Sequence, residues 1–191
     1  MYDAVADPYC YPGSTVLKNL LDLRDQVVLD RYEAEITSDR AREPFPEGKV
    51  SPALYCAFHR HLFQDVYAWA GEYRTVRIAK GGNPFCFPEH IAVQVQRLFA
   101  DLEQQQFLRS LSIEAFAVKG AHFLSELNAI HPFREGNGRT QLAFFAFLAE
   151  RAGHPLRRQG FDPAQMLAAM ITSFSGDEIP LQSVIRDLVS K

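Results

Sequence analysis

The chain has 191 residues, enough for one domain with a buried core, and 47% apolar against 23% charged residues marks it as globular rather than disordered. A net charge of −3 favours neither a nucleic-acid-coating nor a membrane-surface protein, and no apolar run approaches the roughly 18 residues of a membrane span. The three cysteines, Cys10, Cys56 and Cys86, are widely spaced and form no CxxC pair, so neither a zinc nor a disulfide framework is suggested, and the first residues do not read as a secretory leader, so a reducing, cytoplasmic setting is expected.

In chain order, Tyr9-Cys10-Tyr11-Pro12-Gly13 reads as a turn, after which Ser14 or Thr15 can N-cap a first helix. Val16, Leu20, Leu23, Val27 and Val28 follow at helical spacing. Residues 40–49, with two prolines, a glycine and several charges, read as a surface loop. Ser51-Pro52 is an N-cap and N1 pair for a second helix that carries Leu54, Phe58 and Leu62 on one face and should end near Gly71. Residues 75–87 change character: Val76 and Ile78 are strand formers and Gly81-Gly82-Asn83 is a turn cluster. Phe85 and Phe87 alternate after it. The spacing predicts a hairpin, weakened by Pro84, which removes a ladder donor. Helical periodicity returns over 88–105, 112–130 and 139–152, with Gly153 past the end of the last. Asp162-Pro163 caps a helix reaching Phe174, and a short amphipathic helix covers about 181–189. The chain therefore reads as a single, mostly α-helical domain over residues 1–191 with one β-hairpin.

The chemistry concentrates in His131-Pro132-Phe133-Arg134-Glu135-Gly136-Asn137-Gly138-Arg139, a loop between two apolar helices. Gly136 and Gly138 around Asn137 allow consecutive backbone N–H groups to face one way, and such a nest at a helix N-terminus binds phosphate. Arg139, in the first helical turn, adds a forked cationic contact. A carboxylate beside a phosphate site would repel the ligand unless a cation lay between them, which points to Glu135 as a Mg²⁺ ligand. His131, at the mouth of the loop, is suited to act as general base toward an incoming hydroxyl. Phe133 is the expected inward anchor. There is no GxxxxGK(S/T), GxGxxG, HRD or DFG sequence, so nucleotide chemistry here requires another architecture. His59 and His61 stand two apart on a helix, point to different faces and make no natural metal pair. His122 reads as a packed or hydrogen-bonded histidine, and Trp69 with Tyr67 and Tyr73 as packing at the hairpin base.

The loop resembles the signature of the Fic family, HxFx(D/E)GNGRxxR, and the likeness extends over almost the whole chain. Residues 7–19 resemble the family's N-terminal segment, residues 63–74 the helix end before its flap, and residues 78–87 the flap itself. The resemblance implies an all-α Fic fold around a central helix–loop–helix, with one hairpin flap. It also implies transfer of AMP from ATP, with Mg²⁺, to a Ser, Thr or Tyr hydroxyl of a target protein. In that reading His131 is the base and Glu135 the Mg²⁺ ligand, while Gly136, Asn137, Gly138 and Arg139 hold phosphates. Ile78, Lys80, Gly81, Gly82 and Asn83 lie on the flap that docks the target as an added strand.

One position departs from the pattern. The family's last arginine falls on Leu142, which removes a contact to the terminal phosphate, although Arg134 or Arg158 could substitute for it. Two alternatives therefore stay open: a different nucleotide donor, or a non-catalytic nucleotide- or partner-binding module. The family's inhibitory signature, (S/T)xxxE(G/N), is not found in this chain, so the resemblance implies a separate small antitoxin as partner, in a toxin-like role. Nucleic acid and membrane are not expected as partners. Delivery into a host cytosol by a specialised secretion system would leave no mark in this sequence.

Overall fold

The computed structural model describes residues 7–157 and 159–189, so Arg158, a candidate substitute for the missing arginine, lies outside the described residues. Seven α-helices are described: α1 (Gln26–Arg40), α2 (Pro52–Phe63), α3 (Pro88–Gln104), α4 (Ile113–Ile130), α5 (Asn137–Ala152), α6 (Pro163–Phe174) and α7 (Ile179–Val189). A two-stranded antiparallel hairpin, β1 (Ala79–Lys80) with β2 (Asn83–Pro84), completes the regular structure together with a 3-10 turn, Gln106–Leu108. No described helix is long and apolar enough to cross a membrane. The residues group into two compact units.

The first unit holds residues up to 91 together with 132–140. Its leading helix differs from the sequence expectation. Residues 14–25 are not helical, and α1 starts at Gln26, capped by Asp25, whose carboxylate accepts the Val28 N–H at 3.0 Å. The reason is Asn19, whose amide donates to the carbonyls of Leu17 and Leu23 and accepts the Leu23 N–H. That side chain offers the backbone a closed turn in place of a helical one. Val16 and Leu17 are buried all the same, in a β-bridge to Cys10. Helix α2 begins as expected, with Ser51 Oγ accepting from Leu54 N–H at 3.2 Å and Pro52 in the first turn, but ends at Phe63 instead of near Gly71. Turns carry the chain onward through Val66, Tyr67 and Ala70, all buried.

The hairpin is shorter than the 75–87 span expected, with Ala79 opposite Pro84 and Lys80 opposite Asn83. Gly81 and Gly82 both have positive φ, 58° and 80°, the combination a two-residue hairpin turn requires. The buried Arg74 ties the two roots of the flap together, its guanidinium donating to the carbonyls of Val76 and Cys86, each at 2.6 Å.

The second unit holds residues 92–131 and 141–189, and its core forms where α4, α6 and α7 pack on one another. Ser112 caps α4 by accepting the Ala115 N–H at 3.2 Å, and Asp162 caps α6 through the N–H groups of Ala164 and Gln165. Gly120 on α4 allows a close approach: a Cβ there would stand 2.8 Å from the Phe145 ring of α5. Around this point Phe116 stacks on Phe145, and Phe99 meets Phe123 and Phe144 edge-on. At its C-terminal end α4 stops on His131, whose backbone is left-handed (φ 48°).

Candidate active site

His131 ends α4, and its left-handed backbone turns the chain out of the helix and into the loop. Its Nδ1 lies 3.2 Å from the carbonyl oxygen of Asn128. A carbonyl can only accept, so Nδ1 carries the proton and Nε2 is the basic nitrogen. The side chain is buried, which holds the ring in one orientation.

From Pro132 to Gly136 each loop residue meets a partner far away in sequence. The Pro132 carbonyl accepts from Arg74 N–H at 2.8 Å, which joins the loop to the base of the flap. Phe133 is fully buried, as an anchor should be, with its ring stacked on His59 at 3.9 Å between centroids. Arg134 is buried in an ion pair with Asp7 at 2.6 Å. It is therefore not placed to replace the missing second arginine, because its charge is taken up by Asp7.

His59 is the central support. Its Nδ1 accepts the Gly71 N–H at 2.8 Å, so Nε2 carries the proton and donates to the carbonyl of Glu135 at 3.0 Å. Burial pushes its pKa down to about 3, with Arg139 acting in the same direction and the bond to Glu135 opposing. A neutral histidine thus fixes the backbone at the apex of the loop. Gly136 comes next with φ 79°, and the Phe63 ring lies so close beneath it that an added Cβ would fall inside van der Waals contact. Only glycine satisfies both conditions.

Asn137 differs from the sequence expectation. Its buried side chain accepts the Phe133 N–H at 2.9 Å and donates to the Phe133 carbonyl at 2.8 Å. Both polar atoms of that amide close the loop, leaving its backbone N–H as its group for a ligand. Helix α5 begins here. The N–H groups of Asn137, Gly138 and Arg139 have no backbone partner among the described residues, and the first closed bond is Thr140 N–H to Gly136 O at 3.1 Å. A Cβ at Gly138 would meet nothing within 4 Å, so this position borders open space. Three donors at the positive end of a helix dipole form an anion site.

Two charged side chains flank it. Arg139 is 39% exposed and donates to Glu33 at 2.5 Å and to Thr37 at 3.1 Å, with its guanidinium over the Phe63 ring at 4.7 Å. Glu135 is 31% exposed. One of its oxygens accepts the Gly136 N–H at 2.9 Å and lies 4.0 Å from Arg139. Burial raises the Glu135 pKa, the Gly136 N–H opposes, and the neighbouring Glu33 adds to the rise. No group of three or more His, Cys, Asp or Glu that could hold a metal occurs among the described residues. One partly exposed carboxylate fits an ion that takes its other ligands from phosphate and water, as Mg²⁺ does.

On the flap, Ile78 is buried and its carbonyl accepts from Phe85 N–H at 3.1 Å, so it anchors the hairpin, whereas Lys80, Gly81, Gly82 and Asn83 are exposed. Leu142 is half-buried on α5. Sequence reading passed over the residues that hold the loop: Asp7, Glu33, Thr37, His59 and Arg74. His59 stands 76 residues from its partner and Glu33 stands 106 from Arg139, and no local motif marks either pairing.

Known proteins resemble this chain along most of its length. A probable protein adenylyltransferase of Sinorhizobium fredii is 51% identical over 98% of this chain and 98% of its own length. A probable protein adenylyltransferase of Escherichia coli, named Fic, is 37% identical over 97% of this chain and 93% of its own. Among solved structures, the VirB-translocated effector BepC of Bartonella tribocorum, with bound AMPPNP, superposes with a TM-score of 0.83. It shares 26% identity, and the match covers 96% of this chain and 97% of that one. The family model described as Fic/DOC matches residues 49–149, and the chain belongs to the Fic/DOC family.

Proposed function

We propose that the chain is a protein adenylyltransferase that transfers AMP from ATP to a Ser, Thr or Tyr hydroxyl of a target protein. The observation that carries this is the open row of N–H donors at Asn137, Gly138 and Arg139, directly after a histidine whose tautomer leaves Nε2 basic. The relatives named protein adenylyltransferases support the donor and the acceptor class.

The residues divide the work as follows. The N–H groups of α5 and the Arg139 guanidinium receive the phosphates and stabilise the charge that develops on them. His131 Nε2 takes the proton from the target hydroxyl as its oxygen bonds to the α-phosphorus. The bond from that phosphorus to the bridging oxygen breaks, and pyrophosphate leaves with the electron pair. Glu135 would hold Mg²⁺, which supplies charge neutralisation on the phosphates when bound. The exposed flap residues Lys80, Gly81, Gly82 and Asn83 would offer the target a strand edge, a mode of recognition that fixes a peptide by its main chain. With Leu142 in the second arginine position, an antitoxin glutamate would have Arg139 as its motif arginine. The setting we propose is a cytosol, that of the producing cell or of a host.

The test is incubation with ATP labelled at the α-phosphate, Mg²⁺ and a cell lysate. A target band should be labelled, and His131→Ala should abolish the label. A γ-phosphate label should not transfer. If the unaltered chain binds ATP and labels nothing, the transferase reading fails.

A further inference from the structure

We propose that Glu33 on α1 is the positioning residue for Arg139, so that α1 is part of the nucleotide site; the inference rests on the adenylyltransferase reading above. The guanidinium is held on several sides. One N–H is bonded to Glu33 Oε1 at 2.5 Å and another to Thr37 Oγ1 at 3.1 Å. The Phe63 ring lies beneath it. The Thr37 hydroxyl spends its own proton on the Glu33 carbonyl at 2.7 Å, so it meets Arg139 only as an acceptor. The other Glu33 oxygen accepts the Tyr67 hydroxyl proton, and that second bond fixes the carboxylate in turn. A long, flexible cation is thereby held through two of its donors, both turned to α1.

A carboxylate this close to an anion site could instead act as a brake that competes with phosphate for the arginine. Exposure decides between the two. The Glu33 side chain is 12% exposed and that of Arg139 39%, so the cation is the more accessible of the two to an arriving anion. Both Glu33 oxygens are already occupied, which leaves it the geometry of a support. Partners that orient metal ligands typically change affinity or activity 10- to 100-fold when removed, and we expect an effect at the lower end of that scale for a carboxylate that orients an arginine.

The test is a cycle of Glu33→Gln, Arg139→Ala and the double variant in the full chain, reading transfer at saturating ATP and ATP affinity by calorimetry. Glu33→Gln should lower the transfer rate about tenfold while ATP affinity moves less than about threefold, because lost order is offset by the removal of a negative charge. On the Arg139→Ala background the same change should do nothing further. Tyr67→Phe, which loosens Glu33 without removing it, should act in the same direction and less strongly. An equal loss with and without Arg139 would make Glu33 a general structural residue and overturn the proposal. Faster transfer or tenfold tighter ATP binding in Glu33→Gln would make it a brake and also overturn it. The Arg139 Nε–H resonance in ¹⁵N NMR reads the clamp without any reaction. It should be sharp and slow to exchange in the unaltered chain and broadened in Glu33→Gln, and no difference would overturn the proposal. Absence of transfer by the unaltered chain, with this NMR difference intact, overturns the functional reading alone.

Discussion

Gly136 and Gly138 stand two residues apart in the same loop, yet the physical demands on them are opposite. Gly136 is left-handed and sits on the Phe63 ring, so Gly136→Ala meets both backbone strain and overlap. It should cost about 2 kcal/mol or more of stability, measured by urea denaturation, and remove activity with it. Gly138 has ordinary backbone and open space, so Gly138→Ala should fold as well as the unaltered chain. If the phosphate sits as proposed, the effect should appear only as weakened ATP binding, because the added methyl would crowd its approach to the N–H groups. If Gly138→Ala binds ATP normally, the phosphate does not sit where we place it. His59 adds a pH dependence. Its pKa of about 3 in the folded chain lies below its ordinary 6.5, so between those values the unfolded chain binds more protons. The stability it contributes is complete above pH 6.5 and is lost as pH falls, with a slope approaching about 1.4 kcal/mol per pH unit. Glu135, with its pKa raised above 4.5, works the other way from pH 4.5 upward, so the His59 slope should be clearest below that value. Denaturation of the metal-free chain at pH 6.5, 5.5 and 4.0 should show the decline, and His59→Gln should flatten it by about one proton.

At the scale of elements, the turn before α4 stores strain that can be relieved. Gln106, Phe107 and Leu108 are consecutively left-handed (φ 54°, 54° and 60°), and Ser110 is left-handed again at φ 59°. A left-handed backbone costs an L-residue about 1–2 kcal/mol, and glycine removes that cost while adding chain entropy to the unfolded state. Ser110→Gly should therefore stabilise the chain by up to about 1 kcal/mol, seen as a higher urea midpoint with unchanged slope. A lower midpoint would mean that the Ser110 side chain contributes more than the strain costs. This turn was not legible in the sequence, because nothing in Gln106-Phe107-Leu108 carries the glycine or asparagine that normally announces left-handed backbone. The capped helices were legible. Ser51 and Asp162, each followed by proline, accept the N–H bonds that their residue types predict, since capping is a local interaction. Apolar spacing places the first helix too early: of the positions that carry it Val16 is buried, whereas Leu20, Val27 and Val28 are exposed, and Asn19 closes a turn where the helix is expected.

At the scale of the whole molecule, the sequence shows the groups we propose to face a ligand and hides the groups that hold them. His131, Glu135, the glycines and Arg139 fall within nine residues, and a contiguous pattern is legible. Asp7, Glu33, His59 and Arg74 reach the same loop from four separate stretches, and only folding brings them there. A ligand seated on that loop should stabilise the entire fold by mass action. At an ATP concentration 100 times its Kd, the gain is about 2.7 kcal/mol, which for a chain of this length raises Tm by about 5–10 °C. The variants then separate the roles. His131→Ala should keep the full shift while abolishing transfer, because a base contributes to the reaction and not to the seating of phosphates. Arg139→Ala should lose most of the shift. Glu135→Gln should show the same reduced shift with Mg²⁺ and with EDTA, whereas the unaltered chain should lose part of its shift when EDTA is added. A shift indifferent to EDTA in the unaltered chain would remove Glu135 from metal binding and leave it the task its geometry already shows, accepting the Gly136 N–H at the apex of the loop.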